Sequence, residues 1–446
     1  MIRAFFVLVA TGLILGYATL RYGGVLAADW NPCALALGAV LLLGYLPIDR
    51  DSDSAPVEWL LYAAVLAVPA WAFLQTIPLP FALVALLSPE RAAMTHALLR
   101  FEPNPGAVPL SIRPEATLQY ALRYLAFGAT FLITRDLMWR MPGRQWLIAV
   151  PPVLIASLQA VVGLLQNTSG LATVAVSGTF VNRSHFSAML EMCLPFAVGA
   201  VFCYAPHARR ALAACVGAVC ATLLLVAVAL SLSRAGFAIA LLSLILLSWL
   251  HAIARLRGTG RMIVVAGIPV VAAVCGISLA SGRLLDRMAF QLTAGHFPFD
   301  KRLLFWRETL RVITAYPLTG CGFGGFVSAV TPWRTAGVTR TLDYAHNDYL
   351  QFTAEGGVIG FVLAGIVGYL LVRVLWRNVF SSTNFRDNGL AFACATALFA
   401  GMIHSSVDLI TYVPATGMLL CWIAGMVAGL DSNVALRQNI GQHPWT

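Results

Sequence analysis

Residues 211–230 of this chain run from end to end without a charged side chain, and apolar stretches of similar length recur throughout the sequence. About 20 such residues are what a helix needs to cross the ~30 Å hydrocarbon core of a bilayer. Lipid offers backbone N–H and C=O groups no partner, so runs of this kind must satisfy them internally as helices. Composition agrees: 59% of the residues are hydrophobic and 11% are charged, with mean hydropathy +0.81. Soluble domains carry about 25% charged residues. A soluble enzyme, a disordered chain and a fibrous chain are excluded. The expectation is an all-α, polytopic membrane protein forming one integral membrane domain over residues 1–446.

Apolar runs between charged breaks predict about twelve transmembrane spans, near 4–20, 33–48, 58–75, 117–134, 147–165, 188–205, 211–230, 234–250, 262–280, 354–372, 390–405 and 416–430. The first is too long for the apolar region of a signal peptide and reads as a helix. Short loops carrying Arg135, Arg140 and Arg144, then Arg209 and Arg210, then Arg255, Arg257 and Arg261, then Arg373, Arg377 and Arg386 alternate onto one side. The positive-inside rule makes that side cytoplasmic, and both termini with it. Three longer segments, near 76–116, 166–187 and 281–353, then lie outside. The last is a long, partly helical periplasmic loop between spans nine and ten. It holds Arg283, Arg287, Lys301, Arg302, Arg307, Arg311, Arg334 and Arg340, and is expected to carry part of an active site. No internal repeat is visible, which weighs against repeat-built transporters.

All of the 29 basic residues except Lys301 are arginine, in a chain of net charge +10. A planar guanidinium grips phosphate oxygens two at a time, so the bias fits a phosphorylated substrate; a GC-rich genome accounts for part of it. Most cysteines (Cys193, Cys203, Cys215, Cys220, Cys275, Cys394 and Cys421) sit inside apolar runs without metal-ligand spacing and read as small core residues.

Polar groups interrupt the apolar pattern at a few places, all on the predicted outer side. Arg183, Ser187 and Glu191 recur at i, i+4, i+8 and share a face if the sixth helix begins by Arg183. Glu191 then lies inside the membrane and needs a partner; an Arg183–Glu191 pair that only fixes packing is one reading. His185 stands off that face. Arg234, within Ser231–Gly236, either snorkels at a helix end or faces a polar cavity beside a backbone break; the adjacent serines and Gly236 favour the second reading. From Asp300 to Tyr316, Leu303, Trp306, Leu310 and Ile313 recur at helical spacing and predict a buried stripe, with Lys301, Arg307, Glu308 and Arg311 on the solvated arc. Arg302 borders the stripe, one turn before Trp306. The glycine run Gly320–Gly325 lacks the features of a phosphate loop and predicts a tight turn.

His346 opens the stretch that enters the tenth span. A continuous helix from His346 to Leu371 would measure roughly 39 Å at about 1.5 Å per residue, which puts His346 at the membrane surface near a helix N-terminus. The dipole there favours a neutral imidazole, the state a general base requires. His346 and Asp348, two apart, do not form a metal pair. His404 and Asp408, at i and i+4, predict a packing pair. Arginines with one base-like histidine and no metal-ligand cluster suit transfer from a lipid-linked diphosphate: the arginines neutralise the leaving group and the histidine deprotonates an acceptor hydroxyl.

At these residues the sequence resembles the O-antigen ligase and polymerase superfamily of bacterial envelope glycosyltransferases. The resemblance lies in GTFVNRSHF (178–186), SLSRAG (231–236), RLLFW leading to PLTGCGFGGF (302–326), HNDYLQFTAEGG (346–357) and HSSVD (404–408). Ser184 stands where relatives often have asparagine. The resemblance implies a multi-pass protein of the bacterial inner membrane and an undecaprenyl-diphosphate-linked glycan as donor. Transfer would be metal-independent and inverting, with no cofactor. It further implies Arg183, Arg234 and Arg302 at the donor diphosphate, His346 as the catalytic residue, and Glu191, His185, Asn347, Asp348 and Trp306 in support. Its partners would be membrane lipids and an acceptor, lipid A–core or a glycan, and no nucleic acid. Ligation to lipid A–core is the leading expectation. Polymerisation and protein O-glycosylation use the same donor chemistry, and a lipid-linked oligosaccharide flippase is the alternative from another class.

Overall fold

The computed structural model describes residues 2–45, 58–98, 106–168, 175–204, 211–255, 298–334, 343–380 and 388–430. Over these the chain is helical apart from loops and one short antiparallel ribbon, β1 (Pro78–Pro80) against β2 (Ala107–Pro109). The helices are α1 (Ile2–Leu20), α2 (Ala27–Tyr45), α3 (Trp59–Leu74), α4 (Phe81–Leu87), α5 (Pro89–Leu98), α6 (Pro114–Arg140), α7 (Trp146–Thr168), α8 (Arg183–Tyr204), α9 (Ala211–Leu230) and α10 (Arg234–Arg255). They continue with α11 (Pro298–Ala315), α12 (Phe326–Ala329), α13 (Asp348–Phe380), α14 (Gly389–Ser405) and α15 (Pro414–Ala428). Each predicted span coincides with a helix except the ninth, 262–280, which lies outside the described residues. Among those described, 7 helices are long and apolar enough to cross a membrane, with shorter apolar helices at α3, α14 and α15. The protein is an all-α, multi-pass membrane protein.

Burial sorts the helices into a centre and a rim. In α8, 83% of the most apolar window is buried, against 11% in α13. α8 packs against α9, α10 and α14, while α15 packs on α6. The more apolar of the two, α13, is the less buried, so hydropathy does not say which helix lies at the centre.

Two local breaks shape the end of the bundle that carries the polar motifs. Between α9 and α10 the backbone turns at Leu232, in the left-handed region at φ 53°. Ser231 Oγ donates to the Val228 carbonyl (2.6 Å), and Ser233 Oγ accepts from Gly236 N–H (3.3 Å). Ser233 thus caps a helix whose first residue is Arg234, and the expected break at this motif is present. A side chain at Gly236 would collide with Ser187 Oγ, so the starts of α8 and α10 touch.

The second break corrects an expectation. The helix after His346 is not continuous: Gly357 leaves helical geometry at φ 66°, ψ −171°. The glycine turn Gly320–Gly325 docks there, with Cys321 N–H donating to Ala354 O and Gly322 N–H to Glu355 O (both 3.0 Å). A Cβ on Gly320 would strike the Glu355 carbonyl, which is why the turn needs glycine. From α3, Trp71 Nε1 donates to Gly356 O (2.8 Å) and Gln75 Nε2 to Glu355 O (2.9 Å), supporting carbonyls around the break.

Candidate active site

The site is built around the loop that joins α14 to α15, residues 406–413. Asp348, at the start of α13, holds it: one carboxylate oxygen accepts from Ser405 Oγ (2.8 Å), Ile410 N–H (2.9 Å) and Thr411 N–H (3.0 Å). Asn347 adds Nδ2 to the Ser406 carbonyl (2.8 Å), and its Oδ1 accepts from Leu350 N–H (3.1 Å). These two residues are struts that lock the entry of α13 to the loop. Immediately before them, His346 sits at φ 50°, one of few non-glycine residues with positive φ among those described. Such strain persists where surrounding contacts over-determine the backbone. Here Ala345 N–H is held by Gln351 Oε1 (2.7 Å) on one side, and on the other Asn347 Oδ1 caps the helix by accepting from Leu350 N–H.

Asp408 is the hub. It is 2% exposed, and His346 Nδ1 lies 3.1 Å from its Oδ1. His185 Nε2 lies 3.8 Å from the same oxygen and Arg302 Nη2 3.8 Å from the other. The last two are charge contacts beyond hydrogen-bond range. Burial alone would raise the Asp408 pKa, but the His185 and His346 rings outweigh it and hold the carboxyl well below the usual carboxylate range. An ionised Asp408 accepts the proton on His346 Nδ1, which leaves Nε2 as the acceptor nitrogen. The Phe305 ring stacks beside His346, centroids 6.2 Å apart, so α11 also braces the imidazole.

The arginines approach from separate helices. Arg302 comes from α11 and Arg234, exposed, from the start of α10; their like charges act on each other. Arg183 is the first residue of α8, half-buried, two positions before His185. Trp306 is half-buried on α11, its indole N–H buried without a hydrogen-bond partner. Among the described residues no group of three His, Cys, Asp or Glu side chains is placed to hold a metal.

Three pairings differ from the expectations. Glu191 does not pair with Arg183: it meets His404, Nδ1 to Oε1 at 2.6 Å, with both side chains fully buried between α8 and α14. His404 and Asp408 keep the i, i+4 backbone bond (Asp408 N–H to His404 O, 2.9 Å) just past the end of α14, but their side chains turn apart, to Glu191 and His346. On α11 the buried face is Glu308, Thr309, Val312 and Tyr316, whereas Leu303 and Leu310 are exposed, at 52% and 51%. The stripe is divided, since Trp306 is half-buried and Ile313 packs on the cluster of Val312 and Tyr316, while Arg307 and Arg311 are exposed as expected. His185, expected to stand alone, reaches the hub. For Asp408 the sequence predicts only a packing role. Its one sequence signal was membership of the HSSVD segment, and no spacing rule ties it to a histidine 62 positions earlier.

No curated protein matches the chain. Residues 218–365 match the family model described as O-antigen ligase. That stretch, about a third of the chain, includes Arg234, Arg302 and His346, and over it the chain is similar to the O-antigen ligase family.

Proposed function

We propose that this protein transfers a glycan from undecaprenyl diphosphate to lipid A–core at the outer face of a bacterial inner membrane. The observation that carries the reading is the His346–Asp408 pair at 3.1 Å with Arg302 beside it. In the transfer, His346 Nε2 takes the proton of the acceptor hydroxyl as its oxygen bonds to the anomeric carbon. The carbon–oxygen bond to the diphosphate breaks, and the leaving group departs with the electron pair. Arg302, Arg234 and Arg183 neutralise the charge that develops on it. One displacement inverts the anomeric configuration. Segment 281–353, through Arg302 and Phe305, supplies part of the site.

The decisive experiment incubates purified protein with lipid-linked glycan and, separately, lipid A–core, a second lipid-linked repeat, or a serine- and threonine-containing peptide. Product with lipid A–core is expected. Product with either other acceptor alone would replace ligation by polymerisation or protein glycosylation. Glycan movement across the bilayer without any transfer would favour a flippase.

Because arginines take the role often given to a divalent cation, activity should survive EDTA. Loss on chelation, restored by magnesium or manganese, would overturn the arginine assignment. The orientation is tested by cysteine labelling in vesicles. Arg307→Cys should react only from the outer side, and cysteines placed in 135–146 and 373–389 only from the inner side; the reverse pattern would move the site to the cytoplasm.

A further inference from the structure

Helix α6 carries three arginines, Arg123 within the predicted span 117–134 and Arg135 and Arg140 beyond its inner end, and the structure treats them differently. Arg135 is neutralised by Glu58 (2.9 Å) and Arg140 by Asp136. Arg123, nearer the site end, has no carboxylate within ion-pair distance among the described residues. Its Nη1 donates to the Tyr412 carbonyl (3.1 Å), its guanidinium lies 4.7 Å from the centroid of the Tyr120 ring, and its Nε is buried without a hydrogen-bond partner. Neither a carbonyl nor a ring cancels the charge. Glu355, bonded to the Tyr412 hydroxyl (2.8 Å), has its other oxygen on Gln351 (2.9 Å). An ionised arginine at membrane depth is costly unless a polar cavity or an anion compensates it.

The surroundings are aromatic and tied to the reacting group. Tyr412 packs between Tyr120 (5.5 Å) and Tyr344 (5.8 Å between centroids). Tyr412 closes the loop that bears Asp408, and Tyr344 lies two residues before His346. Tyr120 and Tyr412 are buried, whereas Arg123 and Tyr344 are half-exposed. The place therefore has a floor of rings and an open side with a ring and a cation. Ring faces suit the C–H faces of a sugar, and the guanidinium suits an anionic substituent.

The geometry points to Arg123, Tyr120, Tyr344 and Tyr412 as the acceptor subsite, selecting a saccharide that bears a phosphate or carboxylate. Arg123 supplies the charge and Tyr344 the open stacking face. This assignment rests on the glycosyl-transfer reading for the word acceptor, but the binding it describes can be measured without turnover.

The test uses the full chain in nanodiscs of zwitterionic lipid, titrated with octyl glucoside, octyl glucoside 6-phosphate and octyl glucuronide. The native protein should bind at least one anionic probe about ten-fold or more tighter than the neutral one, consistent with a charge-assisted hydrogen bond; the stronger of the two identifies the group as phosphate or carboxylate. Arg123→Gln should abolish that preference, Arg123→Lys should reduce it, and Tyr344→Leu should weaken all three probes alike. Arg302→Gln should leave the preference intact. Equal binding of charged and neutral probes by the native protein would overturn the proposal. So would a preference retained in Arg123→Gln, or lost in Arg302→Gln instead. If Arg123→Gln does not fold, the Arg123→Lys and Tyr344→Leu pair decides by the same criteria. Absence of any transfer activity, with the anionic preference intact, would count against the transfer reading and leave this site standing as a binding site.

Discussion

His346→Ala should slow glycosyl transfer by a factor of about 10² to 10⁴, the usual cost of removing one general base, while lipid-linked donor still binds. The separation follows from the geometry. His346 enters on the segment before α13, whereas Arg183, Arg234 and Arg302 stand on α8, α10 and α11. Removing the imidazole leaves those helices and their guanidinium groups in place. His185→Ala and His404→Ala should each keep more activity. His185 contacts Asp408 only at 3.8 Å, and His404 is sealed against Glu191 without access to substrate. The product's configuration is the second readout, since a single displacement from an α-linked donor must give a β-linked product. Near-normal turnover of His346→Ala, or an α-linked product, would remove both the base and the one-step mechanism.

Asp408→Asn should cost a comparable factor, about 10² to 10⁴, although Asp408 is nearly inaccessible and touches no substrate. The carboxylate fixes the proton on His346 Nδ1. An asparagine can present its NH₂ instead, which draws the lone pair to Nδ1 and puts the proton on Nε2, the wrong nitrogen for a base. The substitution also removes the one negative charge shared by His185, His346 and Arg302. Donor affinity should change far less than the rate. Because the folded state lowers the Asp408 pKa, its ionisation favours folding above the unfolded carboxylate value, and that contribution is lost only as pH falls through the lower folded value. Asp408 therefore stays charged between about pH 5 and 8, and an acid limb in the rate over that range belongs to another group. A rate within a few-fold of the native protein would show that Asp408 only packs the loop.

Lipid as solvent made the helices legible in the sequence. Backbone groups in hydrocarbon must bond within their own segment, so long apolar runs such as 2–20, 211–230 and 390–405 could become little else. The break at Ser231–Ser233 was legible too, because serine side chains compete locally for backbone groups. So was the set of unusual residues: Arg234, Arg302 and His346 all lie where charge or imidazole interrupts an apolar pattern.

What each residue meets was decided by tertiary packing. Glu191 needed a partner, and its helix offered Arg183 two turns away, but α14 brought His404 from 213 positions along the chain. Asp408 became the hub because Asn347 and Asp348 pin the 406–413 loop against the start of α13, an arrangement that exists only after both helices have packed. The face of α11 shows the physical reason most plainly. In a soluble helix the apolar stripe points inward. On α11, Leu303 and Leu310 turn outward while Glu308 and Thr309 are buried, because the neighbours that packing brings to each face outweigh the apolar pattern. Periodicity defines the faces of such a helix, and only its neighbours determine which one is inside.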